Sequence, residues 1–251
     1  MSVTVASGYM WRNRASTWAQ LIYTARGVMT VHTDAGLWVV PPNQAIWVPA
    51  LVRHSIDMAG RVAVRAVYLS RAIRRPLPST CRVVELSPLL LELLRRTMQL
   101  NTLDRANPHE RHLIDVLVDQ IELLPVGPIA LPTPRDPRAA RAAALVRATP
   151  DARHALADVA RDAGASPRTL ERLFRTETGL PFGAWRQRAR LVHALQLMAD
   201  GANVTRAAIG VGYDSTSAFV AAFRRALGRT PGQYFKRTLA NGDVEGVGVI
   251  T

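Results

Sequence analysis

The chain has 251 residues, 48% of them hydrophobic and 20% charged, which are ordinary values for a globular protein and argue against extended disorder. A chain of this length forms one or two domains. No apolar run approaches the roughly 18 residues that a membrane span needs. The N-terminus has no secretory pattern, and the single cysteine excludes an internal disulfide and a thiolate zinc site. The formal net charge of +13 indicates an anionic partner, and these features together predict a cytoplasmic protein.

The first 70 residues have the pattern of short β-strands. Runs of β-branched and aromatic residues, separated by glycine- and proline-containing turns, occupy 19–25, 28–32, 36–40, 45–48 and 61–69. In the last run arginine and alanine alternate with valine, so we expect one polar face. Several short strands at regular spacing predict a small sandwich or barrel over residues 1–84, which ends in an Arg- and Pro-bearing connection over 71–84.

Residues 85–124 have helical periodicity. Ser87 and Pro88 form the pattern of an N-cap followed by proline at the first helical position. A second helix begins at Asn107, with Glu110 placed close to a capping box. We expect the two helices to form a hairpin whose apolar stripes either mediate a homodimer or pad the barrel. Leu89, Leu93, Leu113 and Leu117 belong to these stripes.

A proline-rich segment separates this part of the chain from the rest. Four prolines in 125–134 predict a semi-rigid linker and a domain boundary. Residues 135–240 then have an all-helical pattern, whereas 242–251 have no clear pattern and are expected to form a loose tail. The predicted fold class is α+β multidomain, with an N-terminal barrel and helical hairpin followed by an all-α domain.

The C-terminal part contains a degenerate internal repeat. Residues 156–179 and 204–228 match, so that Gly164 corresponds to Gly212 and Ser166 to Ser215. Glycine at a helix end tolerates a left-handed backbone, and serine can cap the helix that follows. Each copy therefore predicts a helix-turn-helix. One such copy could equally be a packed helix pair with a solvated basic face, but two copies in register favour DNA binding.

The second helix of each copy has a candidate DNA-contacting face. In the first copy, arginines and a glutamate share the outer face, which suits a recognition helix in a major groove, where Arg pairs with guanine and Glu accepts from cytosine. The second copy has fewer long polar side chains, so we expect phosphate, hydroxyl and thymine-methyl contacts. The predicted DNA-binding residues are Ser166, Arg168, Thr169, Glu171, Arg172, Arg175, Ser215, Thr216, Ser217, Val220, Ala221, Arg224 and Arg225.

Three segments resemble the C-terminal signature of the AraC/XylS family of bacterial transcription regulators. They are Gly-Tyr-Asp-Ser-Thr-Ser-Ala-Phe at 212–219, Phe-Arg-Arg at 223–225 and Gly-Arg-Thr-Pro-Gly-Gln-Tyr at 228–234. The resemblance covers about 135–238 and implies a tandem helix-turn-helix domain that binds promoter DNA. It places 182–197 on the long helix that joins the two motifs. RNA polymerase is a further partner if the protein activates transcription.

The N-terminal half is similar to the cupin-like sensor found in part of this family. The similarity covers 18–23, 27–31 and 38–50, and it implies a barrel that binds a small-molecule effector. The pocket residues that we expect are Tyr23, Trp38, Ile46, Trp47 and His54. Relatives commonly carry two histidines just before the tryptophan that corresponds to Trp18, and this chain has Arg14 and Ser16 there. We therefore expect no metal, no other cofactor and no catalytic residue.

Two other functions remain open at this point. The chain could be a constitutive DNA-binding regulator whose barrel only dimerises, or an enzyme of the cupin class, although the latter would need the metal ligands that Arg14 and Ser16 replace. The other chemistry-bearing residues have simpler interpretations. His109 and His112 belong to a helix start, and Cys81 is a silent thiol or a redox sensor.

Overall fold

The computed structural model describes residues 3–5, 10–13, 15–25, 27–42, 44–59, 62–73, 77–123, 130–236 and 247–250. The chain divides into two units. The N-terminal unit comprises Met1–Thr33, Trp38–Pro128 and Arg237–Thr251, and the helical unit comprises Asp34–Leu37 and Ile129–Lys236. The predicted α+β multidomain class is confirmed.

The strands and helices are numbered in chain order. The strands are β1 (Val3–Val5), β2 (Met10–Asn13), β3 (Ala19–Thr24), β4 (Val28–Thr33), β5 (Gly36–Val40), β6 (Gln44–Val48), β7 (His54–Ala59), β8 (Val62–Leu69), β9 (Arg82–Glu85), β10 (Thr102–Leu103), β11 (Ala130–Pro132) and β12 (Val247–Ile250). The helices are α1 (Pro88–Leu100), α2 (Pro108–Leu123), α3 (Pro137–Ala148), α4 (Leu156–Asp162), α5 (Pro167–Thr178), α6 (Phe182–Ala199), α7 (Val204–Gly210), α8 (Thr216–Leu227) and α9 (Pro231–Lys236).

Two sheets form the body of the N-terminal unit. One has the strand order β10-β12-β8-β3-β6-β9, with β1 also on β8, and the other contains β5-β4-β7-β2. Leu21 on β3 lies opposite Trp47 on β6 and Val67 on β8. These three side chains share one face of the first sheet, and they pack with α1 and α2 in one apolar cluster. The other face, with Ile22 and Ile46, is also fully buried, as a sheet covered on both sides requires.

The helical hairpin is capped as the sequence predicts. Ser87 Oγ accepts from the backbone N–H of Leu90 at 3.1 Å, and Asn107 Oδ1 accepts from His109 N–H at 3.1 Å. Glu110 accepts from the Asn107 side chain at 2.9 Å. Leu117 is fully buried in the cluster beneath the helices, so this part of the stripe pads the sheet, whereas Leu89 is 53% exposed.

Two predictions about the strands are wrong. Arg65, expected on a polar face of β8, is 8% exposed and lies opposite Tyr23 on the face that α1 and α2 cover. The connection expected over 71–84 contains the start of β9, which pairs with β6. The first error arises because the helical layer buries a face of the sheet that strand alternation alone would leave in water. The second arises because a run of four residues does not signal a long-range pairing such as that of β9 with β6.

The end of the chain is also more ordered than its sequence predicts. Within the expected tail, 247–250 forms β12, which pairs in parallel with β8 and β10, and the other residues of 242–251 lie outside the described part. Ile250 is fully buried in the apolar cluster. The amide of Val249 donates to Asn101 O at 2.8 Å. The β-branched residues of this short run supply the strand propensity that the tail prediction discounted.

The helical unit contains α3–α9 together with β11, which the sequence placed in the proline-rich linker. Leu131 of β11 is 2% exposed. The indole N–H of Trp185 donates to Pro132 O at 2.8 Å, and Arg188 donates to Ala130 O at 2.9 Å. The described part of the linker is therefore an ordered piece of this unit, and 125–129 lie outside the described residues. No described helix is both long and apolar enough to cross a membrane.

Candidate nucleic-acid interface and candidate ligand cavity

The first helix-turn-helix consists of α4 and α5. Gly164, between them, has φ +72°, the left-handed backbone that favours glycine. Ser166 then caps α5, because its Oγ accepts from Thr169 N–H at 3.1 Å. At the other end of α5, Gly179 is left-handed again and its N–H donates to Arg175 O. These are the backbone roles that the repeat predicts for Gly164 and Ser166.

One face of α5 packs inward. Leu170, Leu173 and Phe174 are buried, and Phe174 makes edge-to-face contacts with Phe182 at 5.0 Å and Trp185 at 5.2 Å between ring centroids. This packing fixes the rotation of α5 on α6. It leaves the opposite face of α5, with its arginines, in solvent.

The outer face of α5 holds three exposed arginines, Arg168, Arg172 and Arg175. Glu171, predicted to accept from cytosine, is instead engaged within the protein. Its carboxylate accepts from Arg175 Nε at 3.2 Å and from the backbone N–H of Phe182, at the start of α6, at 3.3 Å. The hydroxyl of Thr169 lies 2.9 Å from Ser166 Oγ.

The second helix-turn-helix consists of α7 and α8. Gly212 has φ +77°, and a Cβ at this position would lie 2.5 Å from Asp151 O, so that the turn admits no larger residue. Ser215 Oγ accepts from Ala218 N–H at 3.1 Å and caps α8. Phe219 and Phe223 are fully buried in consecutive edge-to-face contacts that join Tyr213, Phe219, Phe223 and Tyr234, with centroids 5.4 to 5.6 Å apart.

The outer face of α8 forms a shallow surface groove. Thr230, which was not predicted from the sequence, lines this groove. The other lining residues are six of the predicted ones, Thr216, Ser217, Val220, Ala221, Arg224 and Arg225. Thr230 precedes α9, and its Oγ1 accepts from Gln233 N–H at 3.4 Å. The Thr-Pro pair at 230–231 is the signal of a helix start that could have placed it.

The two motifs are joined by α6, whose predicted core residues Trp185, Ala189, Val192 and Leu195 are all buried. On another face of α6, arginines hold the loop between α3 and α4. Arg186 donates to His154 O at 2.7 Å, and Arg190 donates to Pro150 O at 2.9 Å and to Ala152 O at 3.1 Å.

The α3–α4 loop also contacts the turn of the second motif. Arg153 forms an ion pair with Asp214, and Asp151 touches Gly212. Burial, helped by the charge of Arg186, lowers the pKa of Arg190 below its usual value. Sequence reasoning missed these contacts, although the spacing of Arg186 and Arg190 at i and i+4 is a signal that they share a face.

In the N-terminal unit, two of the five predicted pocket residues do not face the space between the sheets. Tyr23 and Trp47 belong to the cluster under α1 and α2. The Tyr23 hydroxyl donates to Met98 Sδ at 3.6 Å, the Trp47 indole N–H donates to Pro78 O at 2.8 Å, and burial raises the pKa of Tyr23 to about 12. The predicted lining is wrong at these positions because both faces of the sheet are apolar, so size and hydrophobicity did not distinguish them.

The remaining predicted pocket residues are also buried. Ile46 lies on the face of β6 opposite to Trp47, and Trp38 is 7% exposed. His54 shares a buried face of β7 with Ile56 and Met58, while the residues between them are half-buried. Burial lowers the pKa of His54, and its Nδ1 lies 3.1 Å from Val52 O.

Two buried glutamines were not singled out from the sequence. Gln20 on β3 and Gln44 on β6 lie on the same faces as Ile22 and Ile46, and neither Oε1 has a hydrogen-bond partner. Glutamine within otherwise β-branched and aromatic runs is the signal that could have found them. Over the described residues, no three side chains of His, Cys, Asp or Glu gather in a group that could hold a metal ion.

Comparison with known families finds two matches. Residues 159–237 match the family described as Helix-turn-helix domain, and residues 6–121 match the family described as AraC-like ligand binding domain. The two matches fall on the two units of the structure, and the first contains α5 and α8.

Individual relatives give a similar result. The chain is 35% identical to the HTH-type transcriptional regulator NimR of Escherichia coli strain K12 over 218 residues, which cover 87% of this chain and 80% of the relative. It is 38% identical to the HTH-type transcriptional regulator RipA of Corynebacterium glutamicum over 104 residues, 41% of this chain and 31% of the relative. Among solved structures, the DNA-binding domain of AdpA in complex with a target DNA is 29% identical, with 41% of this chain and 92% of that one covered and a TM-score of 0.37.

Proposed function

Because the chain belongs to the AraC/XylS family of transcription regulators, we propose that it binds promoter DNA through α5 and α8 in response to a small-molecule effector held in its N-terminal unit. The observation that carries this proposal is the presence of two capped helices, α5 and α8, each with a buried apolar face and an exposed arginine-bearing face, in two motifs that α6 joins. We place its action in the cytoplasm, with RNA polymerase as a further partner if it activates transcription.

The two helices have different roles in this proposal. Arg168 and Arg172 lie on the exposed face of α5 without a partner in the described residues, so they are free to contact base edges. Glu171, which holds Arg175 and caps α6, positions α5 rather than accepting from a base. The groove on α8 offers Arg224 and Arg225 to phosphates, and its hydroxyl and small apolar side chains suit closer packing against DNA.

A test of this proposal starts from DNA selection with the full-length protein. Sites recovered from a random pool should contain two conserved blocks spaced by roughly one helical turn, because two helix-turn-helix units enter successive major grooves. Each protomer should protect about 20 base pairs without requiring a palindrome. Recovery of random sequence would contradict specific recognition.

We propose that α1 and α2 mediate a homodimer. Leu117 is excluded from this surface because it is buried in its own protomer. The exposed large apolar residues of the two helices are instead Leu89, Leu100, Val116 and Leu123, at 53%, 36%, 42% and 77% exposure. Sedimentation at micromolar concentration should detect a dimer, which Leu89→Asp should weaken. The matched control Leu51→Asp changes another exposed leucine, at 55% exposure outside these helices. A monomeric wild-type protein would contradict the dimer.

A further inference from the structure

Several hydrogen-bond acceptors are buried without partners in the described part of the N-terminal unit, among them Gln20 Oε1, Gln44 Oε1 and His54 Nε2. Gln20 is 1% exposed and His54 is 4% exposed. Neither Gln20 Oε1 nor His54 Nε2 has a hydrogen-bond partner within the described part of the chain. Folded proteins retain few buried polar atoms of this kind, so each of them calls for a partner that the chain itself does not supply.

Strand pairing places these two residues at the same end of the two sheets. Gln20 lies opposite Val48, the last residue of β6, and β7 begins with His54 after a short turn. Leu51 in that turn donates its N–H to Ser16 O at 2.7 Å, just ahead of β3. His54 is also opposite Thr33, the last residue of β4.

The side chain of Gln20 points away from α1 and α2, and the side chain of His54 points away from solvent. On β3 and β6, the neighbours Leu21 and Trp47 pack under the helices, so Gln20 and Ile46 point to the opposite side. On β7, the half-buried Ser55 and Asp57 mark the outer face, so His54 points inward. The two acceptors therefore belong to the interior between the sheets.

The carbonyl of Val52 determines which nitrogen of the His54 ring carries the hydrogen. A backbone carbonyl can only accept, so Nδ1, at 3.1 Å from Val52 O, carries the hydrogen. The neutral ring then presents a lone pair at Nε2. The Gln20 amide accepts at Oε1 and can donate through its NH2 group, so a molecule that satisfies both Gln20 Oε1 and His54 Nε2 must supply hydrogens.

Apart from Gln44 on β6, most of the described side chains around these two residues are apolar, which further restricts the ligand. Ile22, Ile46, Val48 and Ile56 are all fully buried. The buried arginine of β8, Arg65, is on the other face, opposite Tyr23. Among the described residues of the interior face, no side chain carries a positive charge that could neutralise an acid.

We propose that the Gln20–His54 end of this interior binds an uncharged small molecule with an apolar body and N–H or O–H donors, and that it rejects carboxylate anions. The inference rests on the proposed effector response and specifies the chemistry of the effector. A carboxylate would meet the His54 lone pair and no described cation, so it would lose its hydration without full replacement.

A stability experiment tests this inference without a ligand. Gln20→Met and His54→Leu replace unpartnered acceptors by apolar groups, so both should raise the Tm of the compound-free full-length protein by about 2 °C or more. The matched control is Thr97→Val, because Thr97 is fully buried but its hydroxyl donates to Leu93 O at 2.9 Å. Thr97→Val should lower the Tm. A fall in Tm for Gln20→Met would show a structural role for Gln20 and overturn the proposal.

A binding experiment then tests the ligand class with three probes of similar size. Benzimidazole donates through its ring N–H, N-methylbenzimidazole lacks that donor, and benzoate is an anion. Benzimidazole should raise the Tm of the wild-type protein, the other two should have less effect, and Gln20→Met should abolish the shift. A rise in Tm with benzoate would contradict the proposal. So would the failure of every neutral N–H donor of this size to raise the Tm.

Failure of the ligand-class proposal can be distinguished from failure of the proposed function. DNA affinity for the selected site is measured on the wild-type protein in the absence of any compound. Failure of the wild-type protein to bind DNA specifically would contradict the proposed function and leave the ligand class standing. A normal DNA affinity combined with a preference for acids would contradict only the ligand class.

Discussion

At the scale of single residues, the two recognition helices should differ in what they contribute to DNA affinity. Arg172→Ala should cost about 1–3 kcal/mol on the selected site and less on scrambled DNA, because nonspecific affinity is mostly phosphate charge. Arg224→Ala should lower the affinity for both duplexes by the same factor and reduce the salt dependence of that affinity. Titrations of both variants at two salt concentrations measure this. An equal loss on both duplexes for Arg172→Ala would mean that α5 does not contact the bases there.

A second residue-scale prediction concerns Gly212. Gly212→Ala combines a left-handed backbone with a Cβ only 2.5 Å from Asp151 O, so it should destabilise the protein by about 1–3 kcal/mol. Gly183→Ala on α6 is the matched control, since nothing lies within 4 Å of its Cβ and alanine is the better helix former. Urea unfolding should show a lower midpoint for Gly212→Ala and an unchanged or higher one for Gly183→Ala. Equal midpoints would contradict the close approach.

At the scale of elements, the sequence predicts helix ends better than it predicts which face of a strand is covered. Ser166 and Ser215 cap as expected because an N-cap is a local interaction within a few residues. Trp47 and Arg65 were assigned to the wrong environments because burial of both sheet faces depends on a helical hairpin that follows later in the chain. The contacts of Glu171 within the protein were not predicted for a related reason, since its partner Phe182 lies on another helix.

The boundary of the helical unit gives an element-scale prediction. A fragment of residues 130–236 should fold and bind the selected DNA, whereas a fragment that begins at 135 should have a lower Tm. The shorter one loses buried Leu131 and the carbonyl of Pro132 that accepts from Trp185. Circular dichroism melts of the two fragments compare them directly. Identical melting would show that β11 contributes nothing to the unit.

At the scale of the whole molecule, family resemblance predicted the two-part organisation, but the sequence did not predict how the chain is threaded. The polypeptide leaves the N-terminal unit after α2 and re-enters it at β12, so the helical unit is an insertion within the N-terminal one. The pairing of the four residues of β12 with strands far away in the sequence leaves no local pattern in the sequence. A short β-branched run such as 247–250 becomes a strand only because β8 and β10 provide partners.

This threading links the stabilities of the two units through loop-closure entropy. While the helical unit is folded, its two ends are held at a fixed separation, which lowers the entropy lost when β12 pairs with β8. Unfolding would replace that unit by a flexible loop of roughly 120 residues, whose closure costs about 4 kcal/mol. Phe174→Ala, which removes a buried ring of the helical unit, should therefore speed hydrogen exchange at the Val249 amide, which bonds to Asn101 O in the other unit. The Leu90 amide, held by the local Ser87 cap, should be less affected. In such a molecule, a substitution that destabilises the helical unit also weakens the pairing of β12 in the sheet, because it raises the entropic cost of that pairing.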